Sequence, residues 1–125
     1  MYVDDDPDDR EIFVQALQET NPAIHCILAI DGIDALLKLS REPAPICIYI
    51  DINMPKMNGI ELLQKLRDHA VYKDIPVFIL TTSISPFDQE AVSKIGGVPF
   101  LRKPNTFAAY AKLLKVCFDS HDDTG

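Results

Sequence analysis

Residues 46–50 read Ile-Cys-Ile-Tyr-Ile, an unbroken apolar run that ends at Asp51. A strand with one wet face alternates apolar and polar side chains. An unbroken run belongs to a strand covered on both faces, as in a parallel sheet under helices. The rest of the chain is compatible with that. Short apolar stretches at 2–3, 23–30, 77–80 and 100–101 alternate with segments whose apolar residues recur at helical spacing. Pro7 suits a first helical position, and Asp8, Asp9 and Glu11 suit the positive end of a helix. Phe13, Ala16 and Leu17 share one face of that helix. Ile33, Leu36 and Leu37 mark a second helix to about Glu42, where Pro43 and Pro45 break the chain. Asn58 can cap a third, carrying Leu62, Leu63 and Leu66. Residues 89–95 form a shorter fourth, ended by Gly96-Gly97. Asn105 or Thr106 caps a last helix with Phe107, Tyr110, Leu113, Leu114 and Val116.

Five strand–helix units joined by right-handed crossovers predict an α/β fold. The expected architecture is a doubly wound, five-stranded parallel sheet in the flavodoxin-like order 2-1-3-4-5, with helices on both faces. A chain of 125 residues holds one such domain, expected over 1–119, with a polar tail over 120–125. The first strand starts almost at the first residue, which suggests a piece trimmed from a longer chain. A net charge of −7 argues against the broad basic surface of a nucleic-acid binder. No run of about eighteen apolar residues offers a membrane span, and Asp4 interrupts any signal peptide. Cys26, Cys47 and Cys117 are odd in number and widely spaced, so neither a disulfide framework nor a zinc site is expected. Reduced thiols fit the cytoplasm.

In such a sheet, ligands bind beyond the carboxyl ends of the strands, at the switch point between strands 1 and 3. Asp4-Asp5-Asp6 ends strand 1, Asp51 ends strand 3, Thr81-Thr82-Ser83 ends strand 4, and Lys103-Pro104 follows strand 5. Carboxylates gathered there repel one another, and a divalent cation removes that cost. Oxygen ligands without His or Cys favour a hard ion, Mg²⁺. Each residue alone has an ordinary explanation. Asp4 to Asp9 could be a solvated charge run, Asp51 a turn carboxylate, Thr81 a strand threonine and Lys103 a surface lysine. Their convergence at one edge is what points to chemistry.

Four motifs, in order along the whole chain, resemble the receiver domains of two-component response regulators. They are VDDDP at 3–7, DINMPKMNG at 51–59, ILTTS at 79–83 and FLRKP at 100–104. The VDDDPDD and LTTS variants look most similar to small stand-alone, CheY-like receivers, including those beside bacteriophytochrome kinases. The resemblance implies a phosphoprotein in a phosphorelay, with Asp51 as the phosphoryl acceptor. It implies Mg²⁺ held by Asp4, Asp5, Asp51 and the Asn53 carbonyl. Thr81 would hydrogen-bond one phosphoryl oxygen and Lys103 would pair with another. The Lys103–Pro104 peptide is expected to be cis. Asn53 and Ser83 stand at positions that vary the phosphoryl lifetime.

The implied donor is a phosphohistidine on a sensor histidine kinase or a phosphotransfer protein. His25, His69 and His121 are read as lying on a strand, a helix and the tail, with no donor role. The implied switch couples Thr81 to Phe100. Many relatives have a tyrosine there, and Phe100 lacks its hydroxyl. Output is expected by protein–protein contact, with a homodimer through helix 4, strand 5 and helix 5 as one form. Such a chain is a phosphoacceptor that assists its own phosphorylation and dephosphorylation, not an enzyme acting on a separate substrate. A receiver-like scaffold without phosphoryl chemistry would want Asp51, Lys103 or the acidic pair to be missing, and all are present. A flavin carrier of this topology is ruled out because Asp4 to Asp6 would repel a phosphate. A haloacid-type phosphohydrolase would want a second acid where Asn53 stands.

Overall fold

The computed structural model describes residues 1–82, 84–96 and 98–122, with side chains up to Phe118. Strands and helices alternate: β1 (Tyr2–Val3), α1 (Pro7–Thr20), β2 (Leu28–Ala29), α2 (Gly32–Arg41), β3 (Ile48–Asp51), α3 (Gly59–Asp68), β4 (Val77–Thr81), α4 (Pro86–Ile95), β5 (Phe100–Arg102) and α5 (Phe107–Asp122). All strand pairings are parallel and the order is β2-β1-β3-β4-β5. This is the doubly wound sheet that the apolar run at 46–50 predicts.

β3 explains the two-sided cover. Ile48 and Ile50 join a core with Val3, Ile79, Leu39, Leu62, Leu63 and Leu66 on one face. Tyr49 points to the other face, into a cluster with Tyr2, Phe13, Leu17, Tyr110 and Leu114. α1 and α5 cover that second face. A fully buried leucine on α3 contributes roughly 1.5–3 kcal/mol, so Leu62, Leu63 and Leu66 hold α3 firmly under the end of β3.

Helix starts follow from capping chemistry. The Asp6 side chain accepts from the Asp8 and Asp9 amides, with Pro7 in the first turn. Asn58 and Glu61 form a reciprocal capping box. α4 begins at Pro86, ahead of the expected 89, because Ser85 caps it and Pro86 is pre-set for a first turn. Thr106, not Asn105, accepts the Ala109 amide at the head of α5.

Other boundaries differ from the expected ones, and β3 begins at Ile48 rather than at the exposed Ile46. β2 is Leu28–Ala29 rather than most of 23–30, because its one neighbour, β1, offers only Tyr2 and Val3 as partners. α5 runs to Asp122, into the expected polar tail, whose residues 123–125 lie outside the described residues. His25 precedes β2 rather than lying on it, and His69 caps the end of α3. Both are exposed. Among the described residues no helix is long and apolar enough to cross a membrane.

Candidate functional site

The carboxyl edge of the sheet gathers charge from four strand ends. Asp51 closes β3, and the buried strand leaves its side chain only 7% exposed. Its Oδ1 accepts from the Asn53 amide at 3.3 Å, and its Oδ2 lies 3.5 Å from Lys103 Nζ. Burial first, and the neighbouring Asp4 charge second, push the Asp51 carboxyl up to about 6, against the opposing pull of Lys103.

Asp4 follows β1 and is fully buried. Its Oδ1 accepts from the Asp6 amide at 3.0 Å. Its Oδ2 accepts from the Tyr2 hydroxyl at 2.7 Å and pairs with Lys103 Nζ at 2.7 Å. Asp5, beside it, is exposed. One carboxylate oxygen from each of Asp4, Asp5 and Asp51 lies within 4.8 Å of the other two. Asp6 takes no part in that group, because its side chain is used as the cap of α1. Amide bonds from Asp8 and Asp9 hold its carboxyl below the usual range.

Lys103 follows β5 and reaches back across the edge. Its Nζ pairs with Asp4 at 2.7 Å, Asp9 at 2.8 Å and Asp51 at 3.5 Å, with its side chain 7% exposed. Burial works against the ammonium. The bonds to Asp4 and Asp9 and the surrounding negative charge outweigh that, so it holds its proton more tightly than a free lysine. Its backbone amide donates to the Thr81 carbonyl at 2.7 Å, which ties the loop after β5 to the end of β4. The Lys103–Pro104 peptide, expected to be cis, is trans, as is every peptide bond among the described residues. The trans form is the ordinary minimum of an X–Pro bond by about 0.5–1 kcal/mol, and Lys103 reaches all three carboxylates from it.

Thr81 is buried at the end of β4, one residue beyond the Leu80 that pairs with Asp51. Asn53 is exposed in the loop after β3 and lines one shallow cleft with Asp5, Met54 and Asn58. Phe100 sits half-buried on β5, paired with Ile79 and packed on the α3–α4 side of the sheet. Ser83 lies outside the described residues.

Three partners of the site escape a reading of the sequence. Asp9 looks like one more acid in a helix's first turn, yet it pairs with Lys103. The signal was its position: helical side chains lean toward the N-terminus. Tyr2 reads as a core aromatic, yet its hydroxyl ends on Asp4. Gly59 reads as a helix start. A Cβ there would lie 2.7 Å from the Asp51 carbonyl oxygen and 2.8 Å from Ile52 Cα, so only glycine lets α3 approach the end of β3.

Oxygen donors with no histidine or thiol among them, and more carboxylates than Lys103 can neutralise, make a set suited to a hard divalent cation.

The chain is similar to proteins of known family. The sensory transduction protein LytT of Oceanobacillus iheyensis is 38% identical over 104 residues, which is 83% of this chain and 41% of LytT. The chain thus spans about two fifths of that relative. Among solved structures, the Mn²⁺-bound response regulator Rcp1 superposes with a TM-score of 0.80 at 27% identity, over 91% of this chain and 86% of Rcp1. The bacteriophytochrome response regulator AtBRR superposes with a TM-score of 0.73 at 29% identity, over 91% of this chain and 87% of its own. The response regulator receiver domain family matches residues 1–115. With the sheet order, the acid cluster and the lysine at one edge, that match means that the chain belongs to the response regulator receiver domains of two-component signalling.

Proposed function

We propose that Asp51 accepts a phosphoryl group from a phosphohistidine on a sensor histidine kinase or a phosphotransfer protein. An Asp51 carboxylate oxygen forms the new bond to phosphorus, the phosphorus–nitrogen bond breaks, and the electron pair returns to the imidazole, which takes up a proton. The observation that carries this reading is a buried Asp51 set between a second buried carboxylate and a buried ammonium.

Burial and Asp4 push the Asp51 carboxyl up to about 6 against the pull of Lys103, and a cation bound beside it would favour the ionised, nucleophilic form. Lys103 stands where charge spreads over the transferring oxygens, and electrostatic stabilisation there is the main catalytic resource for phosphoryl transfer. Thr81, at the end of the neighbouring strand, serves as the hydroxyl donor to one of those oxygens. Asp4, Asp5 and Asp51, with the Asn53 carbonyl, would hold Mg²⁺, which when bound neutralises phosphoryl charge. The chain acts as a phosphoacceptor that assists its own phosphorylation and dephosphorylation, and Thr81 and Phe100 form the expected switch. Phe100 offers packing alone to that switch.

Output runs through protein contact. Phe87 on α4 and Phe107 and Val116 on α5 are exposed, and this α4–β5–α5 face is our candidate for homodimerisation. The net charge of −7 opposes nucleic-acid binding, and free thiols at Cys26, Cys47 and Cys117 suit the cytoplasm.

Intact-protein mass spectrometry after incubation with acetyl phosphate tests the reading. A gain of about 80 Da, one phosphoryl group, should require both Mg²⁺ and Asp51 and vanish in Asp51→Asn. No gain in wild type that binds Mg²⁺ would favour the scaffold reading.

A further inference from the structure

The hydroxyl of Tyr2 does more than fill a core. Tyr2, Asp4 and Tyr110 are each fully buried. The Tyr2 hydroxyl donates to Asp4 Oδ2 at 2.7 Å and lies 3.1 Å from the Tyr110 hydroxyl. A phenol has a single proton to give. Tyr2 gives its proton to the Asp4 carboxylate, so Tyr110 is the donor in the second bond. The order is Tyr110 O–H to Tyr2 oxygen, then Tyr2 O–H to Asp4. Such a chain polarises cooperatively toward the charge at its end.

Its geometry is locked. Phe13 stacks on the Tyr2 ring at 4.0 Å between centroids and 13° between planes, and meets Tyr110 edge-on at 6.1 Å. The Tyr2 ring therefore cannot swing away without unpacking α1.

We propose that Tyr2 and Tyr110 are positioning residues that couple cation occupancy at Asp4 to helix α5 through this buried pair of hydroxyls. The proposal rests on the phosphoacceptor reading for the identity of the cation. The same Oδ2 that accepts from Tyr2 also pairs with Lys103. Whatever draws charge from Asp4 weakens its hold on the Tyr2 proton, and the change passes to Tyr110. α5 carries Tyr110 on its buried side and the exposed Phe107 and Val116 on the other. The route lies on the α1–α5 side of the sheet, whereas Phe100 packs on the opposite side. It therefore supplies a polar link on the face of the sheet opposite to Phe100, which offers packing alone. Coupling is reciprocal: a partner gripping α5 would shift affinity for the cation by the same factor.

Fluorine NMR tests this with the full chain labelled by 3-fluorotyrosine. The four tyrosines, Tyr2, Tyr49, Tyr72 and Tyr110, are assigned by single Tyr→Phe variants. Titrating Mg²⁺ should move the Tyr110 resonance along the same saturation curve as the calorimetric heat. Tyr72, whose hydroxyl donates to the Leu39 carbonyl far from the site, should stay still. In Tyr2→Phe, the Tyr110 movement should fall to the level of Tyr72 while Mg²⁺ heat remains. Tyr110→Phe gives a second readout independent of that variant's folding. Without its donor, Tyr2 becomes a poorer donor to Asp4, so the Mg²⁺ dissociation constant should fall severalfold. A packing role alone would leave it unchanged or raise it. Mg²⁺ heat with a still Tyr110, or a Tyr110 movement retained in Tyr2→Phe, overturns the relay alone. No Mg²⁺ heat from wild type contradicts the phosphoacceptor reading and takes the relay with it.

Discussion

Lys103 Nζ lies 2.7 Å from Asp4 Oδ2, with both side chains almost wholly buried. The pair joins the end of β1 to the loop after β5 across the carboxyl edge. Lys103 also meets Asp9 and Asp51, so one ammonium serves three carboxylates.

Lys103→Met should therefore unfold more easily. Removing one partner of a buried pair costs about 3–5 kcal/mol, because the remaining charge is left uncompensated. Urea denaturation at pH 7 in chelator should read that loss. Saturating Mg²⁺ should recover part of it, because the cation takes over the neutralising role. Equal urea midpoints for the two proteins would remove Lys103 from the electrostatic account.

Asp51→Asn should do the reverse. The Asp51 carboxyl is raised from 3.8 to about 6 by burial and by Asp4. The folded state therefore binds this proton more tightly than the unfolded chain does. Its contribution to stability is fully present below about pH 4 and is lost as pH rises through about 6. In chelator at pH 7, Asp51→Asn should be more stable than wild type by on the order of 1–3 kcal/mol. The gap should close toward pH 4. A gap independent of pH would contradict a raised Asp51.

Mg²⁺ should stabilise wild type by mass action, about 2.7 kcal/mol at a hundredfold excess over the dissociation constant. Asp5 is the informative variant, because it is the exposed member of the carboxylate group. Asp5→Ala should change stability in chelator by no more than about 0.5 kcal/mol, yet lose most of the Mg²⁺ response. Thermal melts with and without Mg²⁺ separate the two effects.

Gly59→Ala should damage both fold and site. A Cβ would meet backbone at 2.7 and 2.8 Å, atoms that cannot swing aside. Overpacking of this kind costs about 1–3 kcal/mol, and the shift would fall on Asp51 itself. Gly32→Ala is the control. A Cβ there would meet Met57 Cγ, Cβ and Sδ at 2.7–2.8 Å, so it also costs stability, but the shift falls on Met57 rather than Asp51 and phosphoryl acceptance should survive. Denaturant melts and phosphorylation yield read both.

Strand ends were legible because an apolar run followed by a lone charge has one sensible meaning. Asp51 after 46–50 emerges that way, whereas Lys103 emerges from its place between the end of a strand and Pro104. Residue type alone does not divide the acidic run at Asp4 to Asp9 into roles; the resemblance singles out Asp4 and Asp5 but not Asp6 or Asp9. Local chemistry assigns Asp6 to the cap, while tertiary placement puts Asp4 and Asp9 on Lys103. The contact between the Tyr2 and Tyr110 hydroxyls is hidden because it depends on α5 arriving from 108 residues away. The short β2 follows from a two-residue neighbour rather than from its own composition. The trans Lys103–Pro104 bond corrects an expectation taken from resemblance alone.

The most direct measurement is borohydride trapping of the phosphorylated protein, followed by peptide sequencing. An acyl phosphate is reduced to an alcohol, so a phosphorylated aspartate is converted to homoserine. After treatment with acetyl phosphate and Mg²⁺, homoserine should stand at position 51 and at no other aspartate. Homoserine at Asp4, Asp5 or Asp6, or at no position in protein that binds Mg²⁺, would contradict Asp51 as the acceptor.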